Sequence, residues 1–512
     1  MRFTEVFLSY WPVFGLLGIL GAAMALLARL GRIGRLGRLG SRHADGGQVQ
    51  TKTVVGWALV FALPPLLYVA AQAARLSSQA AIFGALIATT VLLWVFGLVE
   101  EFVGPLVAVV GTLFVGLAPP EVALAGFSSP SLLLLLGVYA LSATISSSGL
   151  SYRLILRLLL RLPDKPFWHQ TALLLSGYAL SPLMPSNTAR VSLLTPIYRD
   201  MVAGLKLPLR GPAVTALLAA LFGGATLFSP MMVTSKSSNI AALNFLPPQM
   251  QTEFNGIFWL VAAAAAVAAV TVAHVVVVPR LFPCGAEEPL PRAEIEQKLG
   301  AMGPPSAAEW TAGGSFVFFL AATATVGWHH VKPPYIAGCV LVALLVTGTL
   351  LRKDFRTQLD WPQIVFLLGL DSMVRIMDYL GLQNSLARAV RHEFDFVRGN
   401  IALFILVSLG VTLVIRLGLP ITAGALTSAV ILLPIAAAQH INPWICIFCA
   451  AIFSDISFFR FQGTNGIIQL YSEGLIEQVD EKGFLRYNMM MNLARVGAVY
   501  VSIPWWGELG LL

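Results

Sequence analysis

Apolar runs of about twenty residues recur from end to end of this chain, and they restrict the fold more tightly than any other feature. Inside a hydrocarbon layer about 30 Å thick every backbone N–H must find its acceptor within the segment, so such a run crosses as a helix. Full-length runs lie near 6–28, 53–73, 79–98, 103–118, 131–148, 213–245, 255–279, 312–328, 334–351, 361–379, 443–471 and 488–511. Composition agrees: 57% of the 512 residues are hydrophobic and 11% charged, against roughly 25% charged in a soluble protein. The reading is an all-α polytopic membrane protein of about twelve transmembrane helices, expected as a multi-pass protein of a bacterial inner (cytoplasmic) membrane. A disordered chain, a secreted disulfide scaffold and a nucleic-acid binder are excluded. The net charge of +8 is read as basic cytoplasmic loops facing anionic membrane lipid.

Two further segments, 166–203 and 400–438, are apolar but interrupted by Pro, Ser, Asn, Thr and Gly, and read as re-entrant hairpins. The basic residues support this. Arg153, Arg157, Arg161 and Lys165 precede the first interrupted segment, and Arg199, Lys206 and Arg210 follow it, so both its ends belong on the Lys/Arg-rich side. The tract Arg29 to Arg38, with leucines between its arginines, reads as a lipid-phosphate contact. Trp11, Trp328, Trp505 and Trp506 read as an interfacial belt.

A weak internal repeat divides the chain. Pro130, Gly137 and Gly149 match Pro362, Gly369 and Gly381 at a single offset of 232 residues. The expected organisation is 1–78 as two extra spans with a basic loop, 79–282 as a first repeat with hairpin 166–203, 283–310 as a cytoplasmic linker, and 311–512 as an inverted second repeat with hairpin 400–438. Inverted repeats with broken helices place a solute site near the midplane of a transporter.

The breaks carry the chemistry. Ser181 to Arg190 reads Ser-Pro-Leu-Met-Pro-Ser-Asn-Thr-Ala-Arg. Irregular backbone at membrane depth persists only where it is buried in protein or lines a cavity. There, hydroxyls, amides and freed carbonyls suit Na⁺, and the N–H groups opening the next helix suit an anion. The competing reading is a Pro-kinked helix whose polar groups satisfy one another.

On Pro185-Ser186-Asn187-Thr188 with Pro196, on Leu141 to Leu150, and on Gly223-Gly224-Ala225-Thr226, the chain resembles the divalent anion:sodium symporter family of the ion transporter superfamily. The likeness covers roughly 125–510. It implies two re-entrant hairpins in an inverted repeat, a homodimer, elevator-type alternating access, and transport of dicarboxylates, citrate or sulfate with Na⁺. It gives Ser186, Asn187 and Thr188 a role in binding substrate and ion. The second hairpin departs from the pattern: its matching positions are Gly424, Ala425 and Leu426, leaving Thr422, Thr427 or Ser428 as substitutes. Later breaks add Ser238 and Asn239 in the first repeat, and Thr464 and Asn465 in the second.

Charges inside apolar segments point to function independently, because each costs several kcal/mol unless paired or hydrated. Arg190, Lys236 and Arg460 lie beside breaks and suggest recognition of an anion, with Arg190 foremost. Asp455 is a counter-ion for Arg460 or a protonatable coupling group, and Arg416 reads as snorkelling toward the interface. Asp371, Arg375 and Asp378 share one helical face and read as mutually neutralising, with a proton relay as the other reading. Cys446 and Cys449 read as small core residues. No phosphate-cradling Gly-rich loop with Lys-Ser/Thr occurs.

The expected activity is therefore secondary active transport of a small anion, with no enzyme chemistry and no cofactor beyond Na⁺ or H⁺ as coupling ion. The substrate-binding set is Ser186, Asn187, Thr188, Arg190, Thr427, Ser428, Thr464 and Asn465. The ion-coupling set is Ser186, Asn187, Ser238, Asn239, Gly424 and Asp455. The alternatives are an exchanger or exporter on the same scaffold, or a membrane-embedded enzyme or non-transporting assembly subunit.

Overall fold

The computed structural model describes residues 51–73, 77–254, 256–283, 292–382, 397–458 and 465–512. The expected span 6–28, the arginine tract, Arg460 and Thr464 lie outside these. The described residues form helices and turns with no strand among them, as a chain with too few polar side chains to face water must. The protein is an all-α, multi-pass integral membrane protein. Six helices are individually long and apolar enough to cross: Thr53–Ala73, Ser78–Val95, Pro212–Met231, Ala264–Leu281, Ile401–Gly418 and Ile421–Ala438. A seventh appears if Ser131–Ser147 and Leu150–Arg161, bent by 60°, count as one. Other expected spans are shorter apolar helices, namely Val103–Val115, Pro333–Val346 and Pro443–Phe453.

The run 213–245 is not one helix. It stops at Thr226, passes through the 3₁₀ turns Ser229–Met231 and Val233–Ser235, and restarts as Ser237–Leu243. Pro230 supplies no N–H to the ladder, and the Ser, Thr and Asn side chains that follow compete for backbone groups. In the run 443–471 the helix Pro443–Phe453 ends likewise in irregular backbone at 454–458, and Asn465–Ser472 is again helical.

The two interrupted segments differ. In the first, the arms Pro166–Leu180 and Asn187–Gly204 are separated by 181–186. In the second, Ile401–Gly418 and Ile421–Ala438 are separated by Leu419 and Pro420 alone. Each second-hairpin arm has 18 residues. Gly424, which would permit unwinding, lies inside a continuous helix. Losing the Ser-Asn-Thr sequence removed the side chain that caps the corresponding arm of the first hairpin, and the helix extends back to the proline.

The chain forms two compact units that do not follow its linear halves. One comprises Met1–Ser129, Trp361–His392 and Leu417–Ala423; the other comprises Pro130–Asp360, Glu393–Arg416 and Gly424–Leu512. In the first unit Trp94 packs against Phe366 with ring centroids 5.8 Å apart, and the Ser372 hydroxyl accepts from the Gly126 N–H at 3.0 Å. Asp371 pairs with Arg375 at 3.3 Å, while Asp378 is exposed.

The second unit is built around Pro212–Thr226, which is buried along nearly its whole length. The first hairpin arm crosses it so closely that a Cβ on Gly177 would lie 2.2 Å from the Gly224 carbonyl carbon. Gly223 faces His274 and Tyr487, whose Nδ1 and hydroxyl are 2.8 Å apart. Trp506, expected in an interfacial belt, is fully buried and donates to the Ala262 carbonyl at 2.9 Å. It belongs to an aromatic cluster around Trp444. Cys446 and Cys449 are buried core residues.

The repeated glycines do matching local work. Gly149 (φ +81°) and Gly381 (φ +65°) are both left-handed, each two residues past a helix, Ser131–Ser147 and Trp361–Tyr379. Gly137 and Gly369 both sit at tight approaches, where a Cβ would lie 2.4 Å from the Ala337 carbonyl oxygen and 2.9 Å from the Pro105 Cβ.

Candidate functional site

The first hairpin tip starts from a cap. Ser186 is extended, and its hydroxyl accepts from the Ala189 N–H at 3.3 Å, opening the arm Asn187–Gly204. Ser186 and Thr188 are half-buried and Asn187 is buried. One helical turn into the arm lies Arg190, wholly buried.

Arg190 is committed to the protein. Its Nε donates to the Ala225 carbonyl at 2.9 Å, and its Nη1 to the carbonyls of Met184 at 2.5 Å, Ser235 at 2.9 Å and Ser181 at 3.4 Å. Its Nη2 donates to the Asn187 Oδ1 and, at 2.7 Å, to the Ser229 hydroxyl. Ser229 closes the triangle by donating to the Asn187 Oδ1 at 2.7 Å. A guanidinium has five N–H groups, and all are spent on oxygens of the hairpin tip and of the neighbouring break. The leading charge-recognition candidate thus has its donors engaged by protein, and it ties two stretches of irregular backbone together.

The break at 229–239 is held from both sides. Asn239 donates its Nδ2 to the carbonyls of Ser229 and Met232, both at 2.9 Å. The Ser237 N–H donates to the Pro185 carbonyl at 3.2 Å, joining this break to the hairpin tip. Within it, Thr234 Oγ1, Ser235 Oγ, Ser238 Oγ and Asn239 Oδ1 are buried oxygens with no hydrogen-bond partner among the described residues. Buried polar atoms are ordinarily satisfied, so four within six residues fit a cation with oxygen ligands.

Lys236, between them, reaches across to the second break: its Nζ lies 2.7 Å from Asp455 Oδ1. It is 3.4 Å from both the Ala451 carbonyl and the Ser454 hydroxyl. Asp455 therefore meets Lys236. Its other oxygen, Oδ2, is buried without a partner among the described residues. Arg416 does not snorkel; it is buried, and its Nε donates to the Ser454 carbonyl at 2.9 Å. From the last helix, Asn488 and Asn492 donate to the Ser457 carbonyl at 3.1 and 2.7 Å. Beside them Arg495, 2% exposed, makes one hydrogen bond among the described residues, to Asn492 Oδ1 at 3.2 Å. Arg416 and Arg495 both lie within electrostatic reach of Lys236.

The balance of charge is uneven. Among its described residues the second unit buries Arg153, Arg190, Lys236, Arg416 and Arg495, against the carboxylates of Glu309 and Asp455. Of the other expected site residues, Ser428 donates to the Gly424 carbonyl of its own helix at 2.7 Å, and Thr427 is half-buried on the same helix. Thr464 and the Asn465 side chain lie outside the described residues. Sequence reasoning missed Ser229 and Arg495. For Arg495 a signal was present: Asn488, Asn492 and Arg495 fall at i, i+4 and i+7 of an apolar run, a polar stripe on one helical face. For Ser229 there was none, since one serine near a proline is ordinary turn chemistry.

The family model described as "Sodium:sulfate symporter transmembrane region" matches residues 51–512 of this chain. Among named relatives, a Cupriavidus necator "Membrane protein" is 24% identical over 62% of this chain and 62% of its own length. The Escherichia coli "Inner membrane protein YbhI" is 22% identical over 59% of this chain and 65% of its own. The Bacillus subtilis "Putative malate transporter YflS" is 24% identical over 58% of this chain and 62% of its own. The matches thus span less than two thirds of these relatives. Among solved structures, the Alcanivorax borkumensis YdaH transporter superposes with a TM-score of 0.52 at 15% identity, covering 78% of this chain and 89% of that one. That likeness is one of fold.

Proposed function

Because this chain belongs to the sodium:sulfate symporter transmembrane-region family, we propose that it is a secondary active transporter of a small, multiply charged anion of the sulfate or di- and tricarboxylate class. The observation that carries this reading is the charge imbalance of the second unit: with Arg416 left aside, the four buried cations Arg153, Arg190, Lys236 and Arg495 face two buried carboxylates among its described residues. Each unbalanced buried cation costs several kcal/mol, and a bound dianion offsets that cost. Arg495 is the recognition residue we assign, because Arg190 has no donor left whereas Arg495 makes one hydrogen bond among the described residues. A guanidinium fork suits carboxylate and sulfate alike.

Ser186 and Thr188, half-buried at the tip, line the same reading as substrate contacts, with Asn187 held in place by Arg190. Ser238 and Asn239, with Thr234 and Ser235, are the proposed ligands of a coupling Na⁺, since their side-chain oxygens lack hydrogen-bond partners among the described residues. Asp455 is the group that carries the proton if coupling is to H⁺. The inverted-repeat organisation, re-entrant hairpins, elevator movement and homodimer implied by family resemblance belong to the same proposal. The family description names a symporter and one relative's name a putative malate transporter, in keeping with transport and not with enzyme chemistry.

One observation favours a second reading of the coupling. The Lys236 amino group, paired with Asp455, sits at a break, which supports exchange of anions or coupling to fewer Na⁺ ions. Uptake of sulfate, malate and citrate into proteoliposomes, under a Na⁺ gradient, a pH gradient, or counterflow with neither, separates these modes. Arg495→Gln is expected to abolish uptake with little change in melting temperature, and Arg495→Lys to keep part of it. Full transport by Arg495→Gln would remove the recognition assignment. Absence of uptake by the wild type in every mode and with every anion would remove the transport reading itself.

A further inference from the structure

A groove of about 670 Å³ on the second unit runs between the helix Leu150–Arg161, the hairpin arm Pro166–Leu180 and the helix Ala307–Ala324. Its walls are apolar, with Leu154, Leu158, Leu180 and Val317 among them. We propose that it holds the acyl chain of an anionic phospholipid whose phosphate rests on Arg157.

Charge is the first argument. Arg153, Arg157 and Arg161 stand at i, i+4 and i+8, on one face of their helix. Arg153 is buried and committed, with its Nε and Nη2 at 2.6 and 3.1 Å from the Glu309 carboxylate and its Nη1 donating to the Gly303 carbonyl at 2.8 Å. Arg157 lines the groove, is exposed, and makes no hydrogen bond or ion pair among the described residues. An apolar slot edged by an uncommitted guanidinium matches a lipid with an anionic head.

Depth is the second argument. The helix bends by 60° away from Ser131–Ser147 at the left-handed Gly149. A basic amphipathic helix turned off the spanning direction lies along the headgroup layer. Trp310, 71% exposed, lines the same groove, as an interfacial tryptophan does.

Shape is the third argument. Gly313 and Gly314 also line the groove. A Cβ on Gly314 would meet nothing within 4 Å, and one on Gly313 would meet only Leu150 Cδ2 at 3.4 Å. The slot is left open where any larger side chain would occupy it, and its size is that of a site for one small amphiphile, roughly 300–1,000 Å³.

The inference does not depend on transport, so its test reads lipid directly. The full chain is reconstituted in vesicles of equimolar phosphatidylglycerol and phosphatidylcholine, extracted in mild detergent, and weighed by native mass spectrometry. The wild type is expected to retain phosphatidylglycerol in preference. Arg157→Gln is expected to reduce that preference about fivefold, the worth of one interfacial basic residue. Gly314→Phe is expected to fill the slot and lose both lipids while melting like the wild type. Equal retention of the two lipids by the wild type, an unchanged preference in Arg157→Gln, or undiminished retention in Gly314→Phe would each overturn the proposal.

Discussion

Replacing Arg190 by Met keeps most of the side chain's volume and removes the whole of its hydrogen bonding. Six oxygens lose a donor: the carbonyls of Ser181, Met184, Ala225 and Ser235, the Asn187 amide oxygen and the Ser229 hydroxyl. A hydrogen bond to a charged group contributes roughly 1.5–3 kcal/mol, and a buried acceptor left without one costs about 1–3 kcal/mol. Burying an unpaired guanidinium is itself expensive, so its removal returns part of this sum. The net expectation is a loss of about 4–5 kcal/mol, at the upper end for a single substitution, and a fall in melting temperature of about 4–5 °C for a chain of this length. Arg190→Lys offers at most three donors from one point, and should fall between Met and wild type. The assay is thermal unfolding in detergent, paired with proteoliposome uptake normalised to folded protein. If Arg190→Met melts within about 1 °C of wild type, a shift worth about 1 kcal/mol, and yet transports nothing, Arg190 is a ligand. The reading of it as a knot between two breaks then fails.

Two further predictions concern buried ion pairs. Lys236→Met should destabilise by about 3–5 kcal/mol by leaving Asp455 buried without its partner, whereas the double variant with Asp455→Leu should recover most of that loss; strictly additive melting shifts would show that the two do not act as a pair. Glu309 ends the polar linker ahead of its span, and the hydrogen bond from Arg153 holds its carboxyl below the ordinary value of 4.5. Its contribution to stability is therefore complete above that ordinary range and lost as pH falls through the depressed folded value. Glu309→Gln should flatten the acid limb of a stability–pH profile, and an unchanged limb would contradict the assignment.

The hydrophobic runs alone determined a helical, membrane-embedded chain, because lipid offers no partner to an unpaired peptide group. They also located the breaks at 181–186 and beyond Thr226, since Pro, Ser, Asn and Thr in a hydrocarbon setting are costly unless used. The repeated glycines were legible for a similar reason: a left-handed residue or a backbone crossing tolerates little else, so Gly149 and Gly381 mark geometry and not merely composition.

Partnership was another matter. From the order of residues, Arg190 and Lys236 looked alike, two cations beside two breaks. Only the folded chain distinguishes them, by closing one into neutral carbonyls 35 and 45 residues away and setting the other against a carboxylate 219 residues away. Sequence states which charges must be answered inside a membrane. Which oxygen answers which nitrogen depends on long-range packing, and so the tertiary structure decided that Arg190 ties the two breaks together while Lys236 is answered by Asp455.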